Sequence, residues 1–418
     1  MKIPNKNSIF LIFLTSIPIV SLFIGFALNE DLSTGGATYD FNLTWPIIID
    51  YSNFNFTGTN GHIPTTHMPL HYALLSLVYA IFNDQYLVRF FYLFFSLLLP
   101  IFLYLNLTKI YNENKILLIV FSLSFLFIPL FRASAIWPNS HLSATIFFLI
   151  GNFFYLKSKE KNVFVYKILN LLFLSFAIYS LQTYLILFLY YLYSYFSSEK
   201  FNNFIKLFLF SSLLSLPGLF FIIFNPRVGA VGVYITRDFF YTISTSFSII
   251  FLFLSFFLLN KENLIVILKK IKVLKKIEIF IILTLFCFVF YNQELFISDY
   301  KLGGGFFYKL SYFILNNNLI FIVSSLLGLT VSYIITKHEP KFLYIFIIIN
   351  LMNLNYVIYQ KYFEPLFLII VIILFKNFLI SNILSRFKNI LVFYGLVFLY
   401  FIVAYINYLN NFSYQLLG

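Results

Sequence analysis

Apolar runs holding at most one charged residue each recur along nearly the whole chain, most of them bounded by Lys, Arg, Asn or Pro. A hydrocarbon core about 30 Å thick needs about 20 such residues at 1.5 Å of helical rise each. Only helices or closed barrels satisfy every backbone group in that core. The runs are Ser8 to Leu28, Tyr86 to Leu107, Ile116 to Phe131, Leu142 to Leu156, Ile168 to Ser180, Gln182 to Tyr195, Phe204 to Phe224, Phe239 to Leu259, Ile277 to Tyr291, Leu319 to Thr336, Phe342 to Val357, Leu366 to Ile380 and Leu391 to Tyr408. Several are short for a perpendicular crossing and require local thinning of the bilayer. The expectation is an all-α, polytopic transmembrane bundle of about 11–13 spans. It forms a single integral-membrane domain over 1–418, with a first outer loop at 29–85, a core helical module to about residue 200 and further spans over 203–409.

The first run follows a basic segment, Met1 to Asn7, as a secretory signal would. It is long for a signal and lacks a small-x-small cleavage pattern around Phe26 to Asn29, so it is read as a retained helix. Composition agrees with a membrane chain: 61% of residues are hydrophobic and 10% charged, where soluble domains carry about 25%. The single cysteine, Cys287, lies in an apolar run; it excludes a disulfide framework within the chain and reads as a buried small hydrophobe.

The formal net charge of +13 raises the question of an acidic partner. With a cytoplasmic N-terminus, three-quarters of the 28 Lys and Arg fall in inner loops, the largest cluster being six lysines between Lys261 and Lys276. Nine of the 15 acids fall outside. That asymmetry is the topology signal of membrane proteins facing anionic headgroups, and nucleic acid is not needed to explain it. Leu70 to Phe82 is apolar but short, and counting it as a span would invert every later loop. It is read as an interfacial or re-entrant helix on the outer face.

Chemistry is expected on that outer face. The first outer loop carries Glu30, Asp31, Asp40, Asp50 and Asp84 with no Lys or Arg, and long loops of this kind are more often functional than connecting. In Ser33 to Phe41, Gly35 and Gly36 permit a tight turn that delivers Asp40 near the end of the first helix, where an acid at a cavity mouth is a candidate general base. Asp31 is a secondary candidate. Pro69 signals a helix start and places His71 on its first turn. His67 and His71 are candidates for hydrogen bonding to a substrate or phosphate; no third metal ligand is close in sequence, and no metal is assigned. Later outer loops contribute Arg132 with Asn139 and His141, then Arg227 and Arg237, Lys301 and Lys309, and finally Lys361, Tyr362 and Glu364. Arg offers two-point recognition of phosphate and Lys a point charge.

The order of these features resembles the GT-C class of integral-membrane glycosyltransferases. The resemblance rests on Asp40 after the first helix, on His67-Met68-Pro69-Leu70 with Tyr72, on Arg89 within Tyr86 to Phe90, and on the late Gln360-Lys361-Tyr362-Phe363-Glu364-Pro365. Pro64 to Tyr72 and Leu181-Gln182-Thr183-Tyr184 are similar in spacing to the lipid-glucose-dependent α-1,2-glucosyltransferases, and the general pattern to the family 39-type transferases. The resemblance implies a polyprenyl-phosphate-sugar donor, a glycan, lipid or protein acceptor, and transfer with inversion on the outer face of a bacterial inner membrane. It assigns Asp40 as base and His67, His71, Arg89, Arg132, Arg237, Lys361 and Tyr362 as substrate or phosphate ligands, with Asp31, Asn139 and Glu364 as secondary candidates. No organic cofactor is implied; a divalent cation stays open. Many members carry a second acid in the second outer loop, where this chain has Asn139 and His141, which puts a strict two-acid mechanism in doubt.

Two other classes remain. A transporter or flippase predicts ionisable residues at mid-span and repeated broken helices, neither of which the sequence displays. A glycan polymerase or ligase handles the same lipid-linked sugars, but places its large functional loop late in the chain.

Overall fold

A computed structural model describes residues 6–33, 36–55, 67–224, 239–291, 304–353 and 360–416. Every regular element among them is helical. The described residues form two compact units, Met1–Val231 with Tyr394–Gly418, and Gly232–Phe393. In the first unit the helix after residue 200 packs back on the preceding two.

The first unit contains α1 (Lys6–Ala27), α2 (Gly36–Ser52), α3 (Leu70–Phe82), α4 (Gln85–Ser96), α5 (Leu98–Ile110), α6 (Lys115–Ser124), α7 (Pro129–Ile136), α8 (Ser140–Lys161), α9 (Phe164–Ser180), α10 (Leu185–Ser198) and α11 (Phe201–Phe224). The second contains α12 (Phe239–Leu258), α13 (Lys261–Lys272), α14 (Lys276–Tyr291), α15 (Gly305–Leu315), α16 (Leu319–His338), α17 (Phe342–Met352), α18 (Leu366–Ile373) and α19 (Phe378–Leu384). A last helix, α20 (Phe387–Leu416), belongs by its later part to the first unit.

Among the described residues, five stretches are long and apolar enough to cross a membrane: Phe10–Ala27, Gln85–Ile110, Phe201–Phe224, Leu319–His338 and Phe387–Asn410. Two bent pairs, Lys115–Phe127 with Pro129–Ile136 and Gln360–Ile373 with Phe378–Leu384, raise the number to seven. The difference from thirteen lies in where helices stop. Pro129 opens α7 after an extended Ile128, and α6 and α7 meet at 71°. Leu181 is extended and ends α9, and the run after it starts with the 3-10 turn Gln182–Tyr184. Leu70–Phe82 and Phe164–Ser180 are shorter apolar helices.

The apolar faces turned away from each unit identify the solvent they require. Ile12, Phe13, Val20 and Ile24 of α1 are exposed, as are Leu209, Leu213, Phe220 and Ile223 of α11. Contiguous apolar surface of this extent is uncommon on a water-soluble monomer and is what lipid-facing helices present. Cys287, expected to be buried, is exposed on α14 for the same reason.

Polar residues join the helices of the first unit internally. Asn106 on α5 donates to the Leu149 carbonyl at 2.9 Å, Asn152 on α8 donates to Asn106 Oδ1 at 2.8 Å, and Tyr191 on α10 donates to Asn152 Oδ1 at 2.5 Å. Asn170 on α9 donates to the Gly151 carbonyl at 2.8 Å and accepts from Tyr195 at 3.1 Å. Between apolar helices in lipid such bonds supply the specificity that apolar contact lacks. In the second unit α12 and α16 cross closely. A Cβ on Gly328 would lie 2.1 Å from the Phe247 carbonyl oxygen. Ser248 and Ser324 hydroxyls meet at 2.8 Å, and Ser325 donates to the Ser244 carbonyl at 2.9 Å. Small residues at a helix crossing are the usual means of close approach in a bilayer.

Candidate functional site

Helix α8 organises the first unit. Its 22 residues span about 33 Å at 1.5 Å per residue, a membrane thickness. Its N-terminal end adjoins α3, α4 and α7, and most of the residues singled out in the first unit gather there.

Local chemistry explains several of them. Asp84 caps α4 by accepting from Leu87 N at 2.9 Å. Asn139 caps α8, its side chain accepting from His141 N at 2.9 Å. Asp31 takes four hydrogen bonds, from the backbone N and hydroxyl of Ser33 at 2.9 and 2.5 Å and from those of Thr38, both at 2.8 Å. It anchors the first turn of α2 next to the end of α1, and its carboxylate is occupied in doing so. Asn139 and Asp31 are therefore helix-positioning residues here.

Arg132 on α7 is 1% exposed and meets Glu30 at two points, Nε to Oε1 at 2.8 Å and Nη2 to Oε2 at 2.9 Å. Its other N–H groups reach Ser21 Oγ at 3.0 Å, the Ser21 carbonyl at 2.9 Å and the Leu126 carbonyl at 3.5 Å. Phe401 lies beneath the guanidinium at 4.7 Å. All five donors have acceptors, which leaves none for the phosphate expected from sequence. Gly25 makes the pair possible: a Cβ there would lie 2.7 Å from both Arg132 Nη2 and Glu30 Oε2.

Arg89 on α4 is different. It is 6% exposed, its Nε donates to the Ile136 carbonyl at 3.0 Å, and its guanidinium lies 3.5 Å from the Trp137 ring centroid and 5.3 Å from that of Phe26. Among the described residues it forms no ion pair, and its buried Nη2 has no hydrogen-bond acceptor. Trp137 is itself oriented by donating to the Glu30 carbonyl at 3.2 Å. A cation removed from water over an aromatic face retains part of its solvation energy through cation–π attraction, but an anion would recover far more.

Beside it stands a hydroxyl and imidazole group. Pro69 precedes α3, and His71 falls on the first turn as expected. His71 Nδ1 meets Ser143 Oγ at 2.8 Å; Tyr92 Oη meets the same Ser143 Oγ at 2.9 Å and donates to the Asn139 carbonyl at 2.8 Å. Burial pushes the His71 imidazole down to about 3, with His67 adding to the shift, so the ring is neutral. His67 and His141 rings approach edge to face at 6.2 Å. Thr145, one turn further along α8, pairs with Tyr184 of the Leu181 to Tyr184 segment at 2.7 Å.

Asp40 lies half-buried on α2, the helix that Asp31 anchors. Phe41, next to it, packs on Trp45 and on Trp137, the ring that faces Arg89. Asp50, near the other end of α2, is buried and accepts no side-chain hydrogen bond among the described residues. In the second unit Lys361 and Tyr362 are half-buried on the 3-10 turn Gln360–Tyr362, and Glu364 is buried with Gln360 Nε2 at 3.3 Å. Arg227, Arg237 and Lys301 lie outside the described residues.

Sequence reading passed over Trp137, Tyr92 and Ser143 as contributors. The only signal for Trp137 was its position between Arg132 and Asn139; Tyr92 and Ser143 lie within apolar runs and carry none. No group of three His, Cys, Asp or Glu side chains able to hold a metal ion occurs among the described residues. No protein family, curated protein or solved structure matches this chain in comparison.

Proposed function

We propose that the chain is a membrane glycosyltransferase that moves a sugar from a polyprenyl-phosphate-linked donor to an acceptor hydroxyl, with inversion at the anomeric carbon. The reading includes a cytoplasmic N-terminus and a site on the outer face of a bacterial inner membrane. The observation that carries it is Arg89, a buried guanidinium on the face of Trp137 that, among the described residues, has no ion-pair partner and an unmet N–H. A donor phosphate supplies the missing anion, with Arg giving directed N–H bonds to its oxygens.

The chemistry is a direct displacement. The acceptor oxygen forms a bond to the anomeric carbon while the bond from that carbon to the phosphate oxygen breaks. The departing phosphate keeps the electron pair, and Arg89 stabilises the charge that develops. Asp40 takes the acceptor proton as general base. The neutral His71, held by Ser143 and Tyr92, orients substrate hydroxyls by hydrogen bonding.

The test uses purified full-length protein in liposomes with labelled polyprenyl-phosphate hexoses and candidate acceptors. Wild-type protein transfers the label, and Asp40→Asn abolishes transfer while inserting normally. Wild-type turnover in Asp40→Asn removes that residue from the mechanism. No transfer by wild type with any hexose or pentose donor removes the reading itself.

A further inference from the structure

At the C-terminal end of α8, about 33 Å from that helix's N-terminal end, the ends of α8, α9, α10 and α11 border a polar cavity of about 560 Å³. Its floor is a nearly buried ion pair, Lys167 Nζ to Glu199 Oε2 at 2.8 Å, with Asn162 Oδ1 also accepting from Lys167 at 2.8 Å. Lys159 and Lys200 line the same cavity and, among the described residues, form no ion pair; Lys159 donates to the Ser198 hydroxyl at 3.2 Å and lies 5.3 Å from the Tyr155 ring centroid. With Lys167 and Glu199 cancelling, the cavity carries two unmatched positive charges. Exposed apolar side chains, Phe196, Phe201, Val163 and Val165, stand near the same helix ends, together with the exposed Glu160 and Lys161.

A positive polar recess with exposed aromatic and branched side chains around it matches an amphiphile with an anionic head and hydrocarbon tails. A free anion would gain nothing from the apolar side chains, whereas the hydrocarbon tails of an amphiphile would cover them. We infer that this cavity binds the phosphate headgroup of an anionic phospholipid, with Lys159 and Lys200 on the phosphate and the acyl chains along the exposed faces of α10 and α11. The Lys167–Glu199 pair ties the start of α9 to the end of α10 beside the recess. The inference does not depend on the sugar-transfer reading.

The experiment measures lipid retention and melting temperature of full-length protein in phosphatidylcholine nanodiscs doped with phosphatidylglycerol or cardiolipin. Wild type is expected to bind the anionic lipid and to melt several degrees higher with it. Lys159→Ala/Lys200→Ala should lower the affinity at least tenfold while melting as wild type does in phosphatidylcholine alone. Lys269→Ala/Lys270→Ala removes the same charge elsewhere and should bind as wild type. Should the alanine pair not fold, Lys159→Gln/Lys200→Gln provides the same comparison. Equal loss in the two double variants would reduce the effect to net charge and overturn the site. Full displacement of the lipid by millimolar inorganic phosphate would also overturn it, identifying a small-anion site instead.

Discussion

Arg132 and Glu30, 102 residues apart in sequence, form a two-point ion pair that is almost wholly buried, with Nε to Oε1 at 2.8 Å. The pair connects α7 to the end of α1, and its position against Gly25 means that no larger residue fits at that helix face. Removing one partner leaves the other charged and desolvated, which typically costs about 3–5 kcal/mol. Arg132→Ala and Glu30→Ala should each lower the unfolding midpoint in detergent by an amount of that order. Replacement of both together by Met should recover much of the loss. Additive losses in the double variant would show that the two side chains do not act as a pair.

Arg89 is expected to behave in the opposite way. Among the described residues it has no anionic partner to strand, so Arg89→Met should be neutral to about 4 kcal/mol stabilising, as when buried ionic groups give way to apolar ones. Sugar transfer should fall by about 10²–10³, the usual loss when a directed donor is removed from developing charge. Arg89→Lys keeps the charge but not the planar donor set over Trp137, and should recover only part of the rate. A destabilised Arg89→Met with normal transfer would make Arg89 a structural residue.

The neutral His71 carries a pH signature. Its folded pKa of about 3 lies below the ordinary 6.5, so the unfolded chain binds the proton first as pH falls. Its share of stability is complete above pH 6.5 and is lost between there and about 3, at about 1.4 kcal/mol per pH unit. Denaturant midpoints measured from pH 7 to pH 4 should fall less steeply for His71→Gln than for wild type. Parallel profiles would mean that the imidazole is not held away from water.

The Asn106, Asn152 and Tyr191 chain offers a test of helix packing. Asn152→Leu removes both an acceptor for Tyr191 and a donor to Asn106. Interhelical hydrogen bonds in membranes average about 0.6 kcal/mol and reach about 1.7, so a loss of about 1–2 kcal/mol is expected. Tyr191→Phe should account for about half of it. An Asn152→Leu variant as stable as wild type would assign the network no structural weight.

Much of this protein was legible in one dimension. The apolar runs are local features and appear as helices wherever they are described, and Pro69 opened α3 as its position required. Asp84, Asn139 and Asp31 cap helices within seven residues of themselves, an interaction readable from spacing, although the last two looked like site residues in the absence of their partners. The number of full crossings was less legible, because a turn such as Ile128 to Pro129 breaks a helix without interrupting its hydrophobicity.

Charge bookkeeping by position grouped Arg89 and Arg132 as equivalent phosphate ligands. Tertiary structure separated them. Only the packing of α1 against α7 brings Glu30 to Arg132, and only the seating of Trp137 under α4 leaves Arg89 desolvated with no acid paired to it among the described residues. The sequence alone determined that this chain is built of apolar helices that carry few charges, because hydropathy and capping act over a single turn. Which of those charges are already neutralised, and which stand ready for a ligand, depends on contacts across tens of residues that only the folded helices create.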